Sequence, residues 1–294
     1  MTGGQQNDYC NVTAWHNKGI TGKVAIWNME TDSEHEDMTT KSILASAPGA
    51  TVLNASLAMK FDNSEVEYAH VVYNGANIPV EDFIRDNNIK ILTRSVGDGF
   101  TSGAGVAFWN DLKERYNLIM FNSAGNDGSD SKAGDDKVAI MVGACWQTSN
   151  GLVRANYSSV YEGVDFVDFP LYSGTSFSCP YLAGKAALLA EKNNEITQSE
   201  VYEYFKSHSE DMNIPGEDTY TGWGLVKMGD PTTVIKIGIG KGHMMIDDTL
   251  IQLDQPATID KATGRTLVPV RAIAEALGCA VEWDQATQTV IIRR

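Results

Sequence analysis

Between residues 23 and 227 the chain alternates short apolar, β-branched runs with stretches whose apolar positions recur at helical spacing. Residues 24–27, 50–57, 89–93, 117–122 and 137–142 read as strands. Residues 38–45, 80–87 and 106–116 read as helices, as do an alanine-rich stretch ending near Lys192 and a segment near 198–205. Strands separated by helices of this length predict right-handed crossovers and a parallel sheet covered on both faces. The expected fold class is therefore α/β, three layers deep. In such sheets reactive residues belong at strand ends and in the loops that follow them.

Near Asp230 and Pro231 the pattern changes. From there the chain reads as short strands (234–239, 251–253, 290–292) and one helix (270–277) with an apolar stripe of Val270, Ile273, Ala274 and Leu277. Gly278 follows that helix, as a C-cap glycine would. A large domain over 1–230 and a small α+β domain over 233–294 are expected.

Composition narrows the function classes. The 294 residues carry 23 basic and 38 acidic side chains, a formal charge of −15, which argues against nucleic acid or anionic membrane as the main partner. No apolar run reaches the ~20 residues that span a bilayer. The start, MTGGQQNDYC, has neither the basic nor the apolar region of a secretory signal and resembles an expression-tag leader. Compartment stays open, with an extracellular destination if a leader has been removed. Cys10, Cys145, Cys179 and Cys279 are scattered without metal-ligand spacing, so free, mostly buried thiols are expected. The five histidines are equally dispersed, and no zinc site is suggested.

The strongest chemical signal is Ser173-Gly174-Thr175-Ser176-Phe177-Ser178-Cys179-Pro180-Tyr181-Leu182-Ala183-Gly184, which leads into the alanine-rich helix. A serine at a helix start has free backbone N–H groups beside it, suited to an oxyanion formed on an attacked carbonyl. Pro180 is read here in the first turn, where it costs no hydrogen bond. Gly184 would let the helix approach a neighbour closely. Upstream, Ala124-Gly125-Asn126-Asp127-Gly128 follows an apolar strand, and Ser95-Val96-Gly97 ends another.

Together these stretches resemble the nucleophile, oxyanion and substrate-strand motifs of subtilisin-like serine peptidases. The resemblance implies Ser176 as nucleophile, Asn126 as an oxyanion donor, and Ser95, Val96, Gly97 and Gly125 as contacts to substrate backbone. Gly222-Trp223-Gly224 is similar to the sequence closing that family's catalytic domain. His35 matches the general base, since a helical pattern leads from it to Ala47-Pro48-Gly49-Ala50, although Glu36-Asp37 replaces the usual Gly-Thr. The first strand resembles the one ending in the orienting aspartate, yet position 28 is asparagine. Three readings stay open: Asn28 orients His35, Glu30 or Asp32 supplies the carboxylate, or the aspartate is lost.

The implied chemistry is endopeptidase hydrolysis of a protein or peptide substrate, with no cofactor required. Structural calcium is common in the family, and its ligands are not assignable from this sequence. The rival expectation is an impaired pseudopeptidase that binds peptides or acts as a scaffold, and a third is self-processing between the domains. Residues 265–284 and 289–292 resemble the copper amine oxidase N-terminal-like, or stalk, domain. The segment 233–294 holds one histidine, His243, and one cysteine, Cys279, which cannot make a copper site, so a spacer, surface-attachment or oligomerisation role is expected.

Overall fold

The computed structural model describes residues 2–30, 32–62, 65–95, 103–128, 138–231, 235–246, 249–277 and 279–293. Contacts divide the chain into a unit of residues 1–230 and another of 231–294. In the first, α1 (Gly3–Tyr9) and α2 (Val12–Asn17) precede β1 (Ala25–Met29), α3 (Ser33–Ser46) and β2 (Thr51–Asn54). Next come β3 (Ser56–Asp62), β4 (Glu65–Tyr73), β5 (Ala76–Pro79), α4 (Val80–Asp86), β6 (Ile89–Arg94), α5 (Gly103–Tyr116) and β7 (Ile119–Ser123). The unit ends with β8 (Ile140–Thr148), β9 (Gly151–Arg154), β10 (Phe166–Asp168), α6 (Thr175–Lys192), α7 (Gln198–Ser207), β11 (Ser209–Glu210) and β12 (Leu225–Val226).

The main sheet runs β2-β1-β6-β7-β8-β10-β12-β11. All neighbours from β2 to β12 are parallel, and β11 and β9 add antiparallel edges. Period-two alternation feeds two cores. Ile26, Ile91 and Phe121 face Leu182, Ala183 and Ala186 of α6. Trp27, Leu92 and Met120 face Phe83 and Ile84 of α4 and Trp109 and Leu112 of α5. A central parallel strand hides both faces, which is why these strands are apolar throughout. The chain steps from β1 to β2 on one side and later returns to β6 on the other, so the order in which strands are added reverses between β1 and β6, which themselves stay parallel. Such a reversal opens a crevice at the strands' C-terminal ends.

The expected strand over 50–57 is two strands. The chain leaves the main sheet at Ala55, whose carbonyl accepts the Trp27 indole N–H at 2.8 Å. Strands β3, β4 and β5 then form a separate antiparallel sheet. Helix α3 starts earlier than its apolar spacing suggested, because the Asp32 carboxylate caps the N–H groups of Glu34 and His35. The first two helices, absent from the pattern reading, are fastened to the unit's far end. Cys10 O accepts from Met228 N at 2.7 Å, Trp15 Nε1 donates to Gly229 O at 2.7 Å, and Asn11 Nδ2 donates to Met228 O at 3.0 Å.

Helix α6 runs through the middle of this unit and carries two unusual residues. Lys185, fully buried, meets Asp168 Oδ2 at 2.7 Å and donates to Val226 O at 2.6 Å. Burial pushes Asp168 up to about 6, despite the neighbouring ammonium. Gly184 faces α3 so closely that an added Cβ would lie 2.0 Å from Ser46 Oγ and 2.8 Å from Ile43 O. Ser46 Oγ also donates to Tyr181 O at 2.7 Å, joining the helices at the same level. At the far end of α6, Glu191 Oε2 accepts from the N–H groups of Thr21 (2.7 Å), Gly22 (2.6 Å) and Lys23 (3.2 Å) just before β1.

In the second unit β13 (Ile235–Ile237), β14 (His243–Ile246) and β15 (Thr249–Gln252) form one antiparallel sheet. Two hairpins follow: β16 (Thr258–Ile259) with β17 (Thr266–Leu267), and β18 (Ala280–Asp284) with β19 (Thr289–Arg293). Helix α8 (Val270–Ala276) lies between them in sequence, and the cap position Gly278 falls outside the described residues. Leu250, Leu267, Trp283 and Ile292 are exposed. Among the described residues no helix is long and apolar enough to cross a membrane.

Gly184→Ala should destabilise the chain by about 1–3 kcal/mol, since α3 and α6 must part to admit the methyl. A urea midpoint unchanged from the parent would contradict that close approach. A second expectation concerns pH. Burial alone would raise Glu191, but its three backbone donors and Lys23 outweigh it and hold the carboxyl below its ordinary value. A depressed native pKa gives stability that is present above the unfolded value and lost as pH falls through the native one. Glu191→Gln should therefore flatten the fall of urea stability between roughly pH 6 and pH 3, and curves of identical slope would count against it.

Candidate active site

His35 and Ser176 reach the crevice from two helices. His35 is held at both ends: its backbone N–H donates to Asp32 Oδ1 at 2.9 Å, and its ring Nδ1 lies 2.8 Å from Glu30 Oε2. Glu30 follows β1 directly and is 8% exposed. An ionised carboxylate only accepts, so this contact assigns the ring proton to Nδ1 and leaves the Nε2 lone pair to act as a base. The imidazole also packs against Phe177, with ring centroids 5.4 Å apart, and Phe177 packs on Tyr172 at 5.1 Å.

Of the three groups weighed for orienting His35, Glu30 is the one at hydrogen-bond distance. Asp32 caps the helix instead. Asn28 turns away: its buried Nδ2 donates to Thr39 Oγ1 and Asn54 Oδ1, both at 2.9 Å. An amide, not a carboxylate, suits those two acceptors.

Ser176 is the second residue of α6, where backbone N–H groups have no helical acceptor. The preceding Gly174 has φ +130°, a conformation that favours glycine, and it bends the chain sharply into the helix. The Ser176 hydroxyl donates to Ser95 O at 3.4 Å rather than to the imidazole. Rotation about its Cα–Cβ bond would redirect it, and catalytic contacts often tighten only with substrate bound.

Asn126 lies opposite. Its Oδ1 accepts from Thr175 N at 2.9 Å and Thr175 Oγ1 at 3.2 Å. Since a backbone N–H can only donate, the amide orientation is decided by chemistry, and the NH2 must point away from Thr175. Asn126 is exposed, so that NH2 is available as a donor. Gly125, with φ +95°, is already engaged through both backbone groups: its N–H donates to Thr175 Oγ1 at 3.2 Å and its carbonyl accepts from Ser159 at 3.0 Å. Ser95 is buried against Ser176 at the end of β6, while Val96 and Gly97 lie outside the described residues. Cys179 is no rival nucleophile, because burial pushes its thiol up to about 12.

The subtilase family profile matches residues 11–224, well over half of the chain. The chain belongs to the subtilase family. This subtilase is 25% identical to subtilisin NAT of Bacillus subtilis subsp. natto, over 73% of this chain and 67% of that protein. It is 26% identical to fervidolysin of Fervidobacterium pennivorans over 64% of this chain, but spans only 31% of that protein's length. It spans 16% of the cell wall-associated protease of Bacillus subtilis, at 25% identity over 46% of this chain. The solved structure of fervidolysin superposes with TM-score 0.53 at 20% identity, covering 76% of this chain and 45% of that one. MycP1 with its N-terminal propeptide removed gives 0.52 at 17%, covering 76% and 94%. These likenesses show the fold, and family membership supports a serine peptidase in general.

A copper amine oxidase N-terminal domain profile matches residues 223–292. Among the described residues no group of three or more His, Cys, Asp or Glu side chains could hold a metal, so neither copper nor calcium ligands are assigned. Two residues outside the expected set shape the site: Thr175 fixes Asn126, and the Phe177 ring covers His35. Both flank Ser176 in the motif, which was the available signal.

Asn28→Asp should not act as a restored triad. It places an acceptor where two donor bonds were made, and a loss of about 1–3 kcal/mol is expected in urea unfolding. Stability equal to the parent would mean that those bonds do not matter.

Proposed function

We propose that this subtilase is an endopeptidase in which Ser176 attacks the scissile carbonyl, His35 takes the hydroxyl proton through Nε2, and Glu30 holds His35. The 2.8 Å approach of Glu30 to His35 Nδ1 carries this reading. It supplies the carboxylate that Asn28 cannot, two residues further along the same strand direction. As the hydroxyl proton moves to Nε2 the ring becomes a cation, and the buried carboxylate beside it stabilises that charge. The attacked carbonyl oxygen becomes an anion, met by the Ser176 N–H and the Asn126 NH2. His35 returns the proton to the leaving amine, and water then releases the acyl group from Ser176. Substrates are peptides or proteins bound in extended form along the end of β6. The C-terminal unit takes no part in this chemistry, and its exposed Leu250, Leu267, Trp283 and Ile292 suit attachment or self-association.

A fluorophosphonate probe tests the assignment without knowledge of the natural substrate. The folded chain should be labelled and Ser176→Ala should not. Glu30→Gln, whose amide can donate to Nδ1 and impose the wrong tautomer, should slow labelling or peptide hydrolysis by on the order of 10³–10⁴. No labelling of the folded parent chain would leave a peptide-binding scaffold as the better reading.

A further inference from the structure

Pro180 is not where the motif alone suggested. Helix α6 begins at Thr175, so Pro180 is its sixth residue and lies beyond the turn in which a missing N–H is free of cost. In an uninterrupted helix the N–H of residue 180 would donate to the carbonyl of residue 176. Proline has no N–H, and its ring crowds the carbonyl four residues back. The carbonyl so deprived is that of Ser176 itself.

Ser95 occupies the missing donor's role. Its Oγ donates to Ser176 O at 3.2 Å, and its own carbonyl accepts the Ser176 hydroxyl at 3.4 Å. Ser95 is 8% exposed, so water competes little for these bonds. One residue at the end of β6 thus grips Ser176 through both its main chain and its side chain.

We propose that the Ser95 hydroxyl is a positioning residue for the nucleophile. It replaces the helical hydrogen bond that Pro180 removes, and fixes the first turn of α6 against the strand along which substrate is proposed to lie. This is a task separate from any contact Ser95 makes to substrate through its backbone, and it rests on the peptidase reading above. Without the hydroxyl the peptide plane joining Ser176 to Phe177 is free to rotate, and the first turn of α6, which carries the Ser176 N–H and Oγ, loses its tie to the end of β6. The effect therefore falls on the reaction at Ser176 more than on affinity.

A double-mutant cycle decides the matter, read as the rate at which a small fluorophosphonate reacts with folded protein, alongside thermal unfolding. Ser95→Ala should slow labelling by about tenfold. Pro180→Ala returns an N–H to the helix, so in that background Ser95→Ala should cost less than about twofold. Ser95→Thr, which keeps the hydroxyl, should label at close to the parent rate. An equal factor in both backgrounds, or a Ser95→Ala protein that unfolds earlier yet reacts at the parent rate, overturns the proposal. If Pro180→Ala fails to fold, equal slowing in Ser95→Ala and Ser95→Thr overturns it, and slowing confined to alanine supports it. Absence of labelling in the parent chain would remove the peptidase reading and this assignment together, whereas failure of the cycle alone removes only the latter.

Discussion

His35 and Ser176 ride on different helices, and the spacing of those helices is set by a missing methyl group. Gly184 lets α6 approach α3 until Ser46 Oγ can reach the carbonyl of Tyr181. Any larger residue would force the two helices apart and carry His35 away from Ser176. Helix α6 is buried along most of its length and anchored by the Lys185–Asp168 pair, and α3 is pinned at its start by Asp32. The close contact is thus worth more to the geometry of the crevice than its few atoms suggest.

The end of β1 divides its tasks between two side chains. Asn28 is committed to the scaffold, tying α3 and β2 to β1 through Thr39 and Asn54. In the proposed function the orienting carboxylate stands two residues on, at Glu30, whose longer side chain reaches the imidazole from beyond the strand. Because strand side chains alternate, a shift of two keeps the same face, whereas a shift of one would have aimed the acid at the opposite core.

Much of this was legible in the sequence. The buried parallel strands announced themselves as apolar runs, and the α/β class followed from their alternation with helices. Ser176 and Asn126 stood in motifs with fixed spacing. The identity of the group facing His35 was not legible, since Asn28, Glu30 and Asp32 all lie within reach along the chain and only three-dimensional placement separates them. The role of Pro180 was misjudged for a similar reason: whether a proline is harmless depends on which residue begins the helix, and that was set by Gly174 and its positive φ. Polar capping hid the first turn of α3, and the Trp27 indole, a tertiary contact, ended β2 at Ala55. Helices α1 and α2 gave no periodic signal because they are short and stabilised by their attachment to the far end of the unit.

That attachment has a mechanical consequence. The bonds from Cys10, Asn11 and Trp15 to Met228 and Gly229 lie immediately before the link into the C-terminal unit. If that unit is tethered and the protein is pulled, the load arrives first at this clasp. The helices carrying His35 and Ser176 sit downstream of it in the path of force, shielded until the clasp gives way.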